Sequence, residues 1–182
     1  MEIRIERKTA LAVGLVVIGI ILRLVPHTAN FAPVGAMSLF GGAIMGWRTA
    51  LWMPLAIMIP SDLIIGLHPL IAYTWGGFVL VALFGMLLRD QRNRIRIPLG
   101  AVGCSLLFYV VSNFGVWLQG QLYPATWHGL IECYTLALPF LRTSFLADMT
   151  FSVVLFGLYA LVEQYFKSQF MLRLAPRETE AE

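Results

Sequence analysis

IPLGAVGCSLLFYVVSNFGVWLQGQLYPATWHGLI, the stretch from Ile97 to Ile131, contains no Asp, Glu, Lys or Arg. It is too long and too evenly apolar for the in–out alternation of a barrel strand. About 20 apolar residues in a helix cross the hydrocarbon core of a bilayer. Within lipid every backbone N–H and C=O must be paired inside the protein, and a helix does this alone. Working outward, Pro69 to Leu88 forms a second uncharged run. Across the chain 59% of residues are hydrophobic and 13% charged, the latter about half the share of a soluble domain. The expected class is therefore all-α: an integral membrane six-helix bundle, one transmembrane domain over residues 1–182.

Pro, Gly and charge clusters divide the chain into spans at about 8–25, 34–46, 49–66, 69–88, 97–118 and 143–166, with a half-buried or re-entrant helix at about 130–141. The basic start, Arg4, Arg7 and Lys8, could imitate a secretory signal. Arg23 and Pro26 stand where a cleavage site needs small residues, so the first span is expected to be retained. Two prolines, Pro26 and Pro33, bound the loop that follows it. The one clearly hydrophilic linker is Arg89 to Arg96.

Counting Lys and Arg orients the spans. With both termini inside (N-in/C-in), the cytoplasmic side holds Arg4, Arg7, Lys8, Arg48, Arg89, Arg92, Arg94, Arg96, Lys167, Arg173 and Arg177, which is 11 of the 13 basic residues. Only Arg23 and Arg142 fall outside. The formal net charge of +3 is thus a matter of topology, and no nucleic-acid partner is implied. The expected setting is a bacterial cytoplasmic (inner) membrane, with lipid as the surrounding partner.

The same orientation gathers the unusual polar residues outside. His27, His68 and His128 fall in three different outward loops. Asn30, Asp62, Asn113, Trp117, Tyr123, Trp127, Glu132, Arg142 and Asp148 lie in those loops or near the outer helix ends. A carboxylate within a span costs roughly 2.5–3.5 kcal/mol on insertion scales and marks a pathway, a site or an internal ion pair. Asp62 and Asp148 qualify. In one reading Asp148 pairs with Arg23 or Arg142 and Asp62 bonds locally; in the other, both belong to an outward-facing polar pocket. Three histidines on one side also raise a metal site, but no HxxxH or HxH pair fixes two ligands together, and no metal or cofactor is expected. Cys104 and Cys133 form no CxxC and read as small packing residues. Ala10-xxx-Gly14 and Gly42-xxx-Gly46 permit close helix approach, within the chain or against another subunit. There is no P-loop, no HExxH and no GxSxG elbow, so the chain is not expected to be an enzyme or to hydrolyse ATP itself.

Several segments carry a resemblance: Arg23-Leu-Val-Pro-His27, Asn30-Phe31-Ala-Pro33, Phe40-Gly41-Gly42-Ala43, Ser61-Asp62, Ser112-Asn113-Phe114-Gly115-Val116-Trp117, Tyr123-Pro124, and Cys133-Tyr134-Thr-Leu-Ala-Leu-Pro139-Phe140. Over about Thr9 to Tyr165 the chain resembles an uncharacterised bacterial membrane family described as candidate transport proteins. That family is similar to the substrate-binding S components of ECF (energy-coupling factor) transporters. The resemblance implies a six-helix protein that binds a vitamin or metal cation near its outer face, with loops lining or gating the pocket. It also implies a transmembrane coupling subunit driven by two cytoplasmic ATPases. Small residues on the first helix, here Ala10 and Gly14, would face that subunit, although AxxxG departs from the family's pattern. Phe31, Asn113, Trp117 and Tyr134 would suit a flat, polar-edged vitamin. Related solitary proteins bind cobalamin through a cysteine, and Cys133 is the one position here for such a role, in a context that matches poorly.

The expected function is membrane-embedded substrate binding for uptake of a vitamin-like molecule. The expected substrate-binding set is His27, Asn30, Phe31, Asp62, His68, Asn113, Trp117, Tyr123, Tyr134 and Asp148. Two alternatives remain open. One is a membrane scaffold of the cell-shape type, working through the basic linker. The other is an intramembrane enzyme using Asp62, Asp148 and a histidine as acid–base groups.

Overall fold

The computed structural model describes residues 2–26, 28–89 and 96–174. Seven α-helices account for most of them: α1 (Glu2–Leu24), α2 (Val34–Phe40), α3 (Trp47–Ile65), α4 (Ile71–Met86), α5 (Arg96–Leu118), α6 (Trp127–Leu136) and α7 (Leu138–Leu174). No strand occurs among the described residues. Helices α3, α5 and α7 are long and apolar enough to cross a membrane, over Trp47–Ile65, Arg96–Leu118 and Leu138–Gln169. Their outward faces carry large apolar side chains: Leu63, Ile64 and Leu161 are 65%, 68% and 63% exposed. A water-soluble surface does not sustain apolar area on this scale. The chain is built as a membrane protein.

The short helix α2 organises the bundle. All seven of its residues are buried, and it packs against α3, α4, α5 and α7. A helix apolar on every face belongs at the centre. At Gly41 it loosens into a π turn, Gly41–Met45, and Gly46, at φ +109°, ends it in a conformation that side chains resist. The carbonyl of Ile44 at this end accepts a 2.8 Å hydrogen bond from Lys8 Nζ, a cation placed at the negative end of the helix dipole. Phe40 fills the centre, meeting Phe156 and Tyr159 edge-on at centroid distances of 5.1 and 5.6 Å.

Small residues set the tightest crossing. A Cβ on Gly42 would collide with the carbonyl oxygen of Ala82, and one on Gly85 with that of Leu39. Each backbone thus seats on the other's missing side chain. Gly46, by contrast, terminates the turn, and a Cβ there would meet nothing within 4 Å. Ala10 and Gly14 face outward on α1, and a Cβ on Gly14 would meet open space.

Helix α3 stays helical through Pro54 and Pro60. The buried Ser61 hydroxyl donates to the carbonyls of Ile57 (2.7 Å) and Met58 (3.0 Å) of its own helix, which satisfies it within the bundle. The expected helix at about 130–141 lies instead at Trp127–Leu136, and the last helix begins at Leu138 rather than 143. Pro139 explains both shifts. Its ring would clash with the carbonyl of Thr135 in a continuous helix, whereas the first turn of a new helix tolerates it. The start of α6 is fixed by Thr126, whose hydroxyl accepts from the Gly129 N–H at 3.2 Å.

Residues 25–26 with 28–33, and connections 66–70 and 119–126, gather at one end of the bundle, termed here the upper end. Residues from all three line the cavities that follow.

Candidate functional site

The end of α1 contributes Arg23 to the upper part of the bundle. Its Nη2 donates to Asp62 Oδ1 of α3 in a salt bridge, and its Nη1 reaches the Met58 sulfur. Asp62 is 1% exposed. Its second oxygen accepts from the Trp75 indole N–H of α4 at 2.7 Å. Two donors on two oxygens satisfy the Asp62 carboxylate, whereas the buried Arg23 Nε–H has no partner; the pair joins α1, α3 and α4. Pairing of Asp148 with Arg23 or Arg142 is therefore not what the fold adopts. Arg23 takes Asp62, and Arg142 lies exposed on α7.

Asp148 lies ten residues into α7, about 15 Å below its upper end at 1.5 Å per residue. It is 5% exposed. Its Oδ2 accepts from Ser105 Oγ at 2.7 Å and lies 3.5 Å from Cys104 Sγ. The Ala36 N–H also donates to the carboxylate. The carboxylate thereby serves the buried start of α2, which has no capping side chain of its own. Gly35 makes this approach possible, since a Cβ there would strike the Asp148 carboxylate.

Between these groups lies a cavity of about 520 Å³, lined by Arg23, Asn30, His68, Thr74, Ser144 and Asp148 among its polar groups. Met58, Phe78 and Phe108 supply apolar wall, and the two phenylalanine rings stack at 4.3 Å, 19° from parallel. A second cavity of about 330 Å³ adjoins it, lined by Tyr109, Asn113, Tyr123 and Cys133 of α5, α6 and their connection. Asn30, Thr74, Phe108 and Ser144 belong to both walls, so the two form one branched hollow. Asn30 occupies the junction at φ +61°, a left-handed conformation that Asn tolerates better than other side-chain-bearing residues.

The expected site residues divide accordingly. Asn30, His68 and Asp148 line the larger cavity; Asn30, Asn113 and Tyr123 line the smaller. Asp62 stands behind the wall, held by Arg23. Phe31 packs on Phe151 at 5.8 Å. Trp117 donates its indole N–H to the carbonyls of Pro124 (3.1 Å) and Thr126 (3.3 Å), tying down the loop before α6. Tyr134 donates to the Val110 carbonyl at 2.7 Å, while Tyr109 donates back to the Tyr134 carbonyl. This is a latch between α5 and α6. His27 lies outside the described residues. Among those described, no three His, Cys, Asp or Glu side chains are grouped as metal ligands.

Sequence reasoning did not place Arg23, Thr74, Phe78, Phe108 or Ser144 in the site. Arg23 had a legible signal, as one of two basic residues on the side otherwise free of them. The others are common helix residues whose direction only packing assigns.

Residues 3–171 match a family model. The chain belongs to DUF6580, a family of unknown function. No match to the chain was found among curated proteins or among solved structures. For this DUF6580 chain the cavity itself must therefore carry the functional argument.

One turn beyond Asp148, Ser152 is 1% exposed and its hydroxyl has no hydrogen-bond partner. A buried, unpaired hydroxyl costs stability, and removing it relieves that cost. Ser152→Ala is expected to leave the protein as stable or to gain up to about 1 kcal/mol. Thermal melting of the purified protein checks this; a loss would mean that Ser152 does have a partner.

Proposed function

We propose that this protein is the membrane-embedded, S-component-like binding subunit for uptake of a vitamin-like small molecule. In this reading α1, α2 with its π turn, α3, α4, α5 and α7 form a six-helix bundle in a bacterial inner membrane, crossing it with both termini in the cytoplasm. The upper end then faces outward, and α6 lies along that outer rim. A separate transmembrane coupling subunit and two cytoplasmic ATPases would supply energy. The exposed Ala10 and Gly14 on α1 are the proposed contact with that subunit.

One observation carries the reading. Arg23, Asn30, His68 and Asp148, drawn from two helices and two connections, share a cavity of about 520 Å³. Small-molecule sites are typically about 300–1,000 Å³, mostly apolar, with a few convergent polar groups. The charge count along the chain favours the orientation that opens this cavity to the outside. Enzyme chemistry through Asp62 is disfavoured, because both of its oxygens are engaged.

The test is identification of bound small molecules by mass spectrometry of the protein purified in mild detergent. A stoichiometric ligand is expected. Ser144→Trp and Thr74→Trp, each placing an indole where the two cavities meet, are expected to reduce its occupancy at least tenfold while the protein remains folded. Absence of any bound molecule, together with no binding from a panel of vitamins and cations, would overturn the proposal.

A further inference from the structure

We propose that the ligand of this cavity is a cation with a flat apolar body, such as an alkylated or protonated nitrogen heterocycle, whose positive charge pairs with Asp148. The inference rests on the reading of the cavity as a binding site, and it names the class of molecule that the site takes.

The described side chains lining the larger cavity that can carry charge are Arg23, His68 and Asp148. Arg23 is already neutralised by Asp62. Asp148 is held by neutral groups: the Ser105 hydroxyl, the Cys104 thiol and the Ala36 N–H. An ionised carboxylate only accepts, and in that form Asp148 can take the Cys104 thiol, the Ala36 N–H and the Ser105 hydroxyl, whose single proton the Ala101 carbonyl at 3.1 Å also competes for. The positive end of α2 offsets at most about half a unit of that charge. A negative remainder is left at depth, in the wall of an otherwise largely apolar hollow.

His68 does not alter this balance at the same place. It belongs to the connection between α3 and α4 at the upper end, whereas Asp148 lies well inside α7. A carboxylate-bearing ligand would meet Asp148 with like charge and find the Arg23 charge already paired with Asp62, only its Nε–H being without a partner. A positively charged ligand would complete the pairing, and Phe78 and Phe108 would receive a flat apolar body.

Three probes with one bicyclic frame separate the possibilities: 1-methylquinolinium as the cation, quinoline as the neutral form, and quinoline-2-carboxylate as the anion. Binding is measured on the full chain in detergent at neutral pH, by calorimetry and by tryptophan fluorescence. The cation is expected to bind at least tenfold more tightly than quinoline, and the anion most weakly. Asp148→Asn is expected to abolish the preference for the cation while quinoline binds as before. Ser152→Ala, one turn away and outside the cavity wall, is expected to keep the wild-type ranking.

If Asp148→Asn does not fold, the wild-type ranking decides, together with the charge of any copurifying molecule. A cation in either role supports the proposal. Equal binding of the probes, preference for the anion, or a neutral or anionic copurifying ligand overturns the charge assignment and leaves the cavity reading intact. Binding of no probe, with no copurifying molecule, overturns both.

Discussion

Asp62→Ala is expected to destabilise the protein by about 3–5 kcal/mol, the cost of stranding one member of a buried ion pair. The Arg23 guanidinium would keep only the Met58 sulfur, and the Trp75 N–H would lose its acceptor. Because the pair joins α1, α3 and α4, the loss is expected as cooperative unfolding rather than local loosening. Asp62→Asn should cost less, since its carbonyl oxygen still accepts one of the two donors. Replacing both partners with apolar side chains, Arg23→Met with Asp62→Leu, should recover much of the deficit, because neither charge is then buried alone. Equilibrium unfolding in mixed micelles, followed by tryptophan fluorescence, measures all three. A cost for Asp62→Ala below about 1 kcal/mol, the range of exposed pairs, would show that water reaches these groups and that they do not form a closed wall.

Gly42→Ala and Gly85→Ala are each expected to cost about 1–3 kcal/mol or more, as overpacking does in a filled interior. The obstacle in both cases is a backbone carbonyl, of Ala82 and of Leu39 respectively. A backbone atom cannot swing aside as a side-chain tip can, so α4 must separate from the π turn in the first case and from α2 in the second. That movement would disturb α2 and, through Gly35, the seat of Asp148. Ligand occupancy is therefore expected to fall with stability. Gly157→Ala and Gly14→Ala are matched controls, because an added Cβ there meets nothing within 4 Å. Alanine in an exposed helix position is favoured over glycine by about 1 kcal/mol, so these should be neutral or slightly stabilising. Melting temperatures of the four variants in one detergent decide the matter. If Gly42→Ala melts with the controls, the helices do not cross as closely as described.

How far the site could be read from the chain follows from the same physics. Asn30 and His68 were legible because loops between apolar segments must lie at their ends, and few polar residues occupy those loops. Asp148 was legible because a carboxylate inside an apolar helix needs a reason to be there. Phe31, Trp117 and Tyr134, expected at a ligand, are not among the residues lining the two cavities; they pack on Phe151, tie the loop before α6 and latch α6 to α5. Aromatic residues near helix ends suit either role equally well, and nothing local separates them. Phe78 and Phe108 were missed for the converse reason. They sit in helices apolar on most sides, where no polar face marks which way a ring turns.

Composition and the uncharged runs were enough, without any coordinates, to establish helices and a lipid environment, since an unbroken apolar stretch has few other ways to pair its backbone. Proline and glycine positions placed most helix ends close to where they lie. Helix rotation, the choice of Asp62 rather than Asp148 as the partner of Arg23, and the burial of α2 at the centre were decided only by tertiary packing. Each depends on which small residue lets which neighbour approach. The seating of Gly42 on Ala82, of Gly85 on Leu39 and of Gly35 on Asp148 is a relation between distant segments, and no single segment contains it.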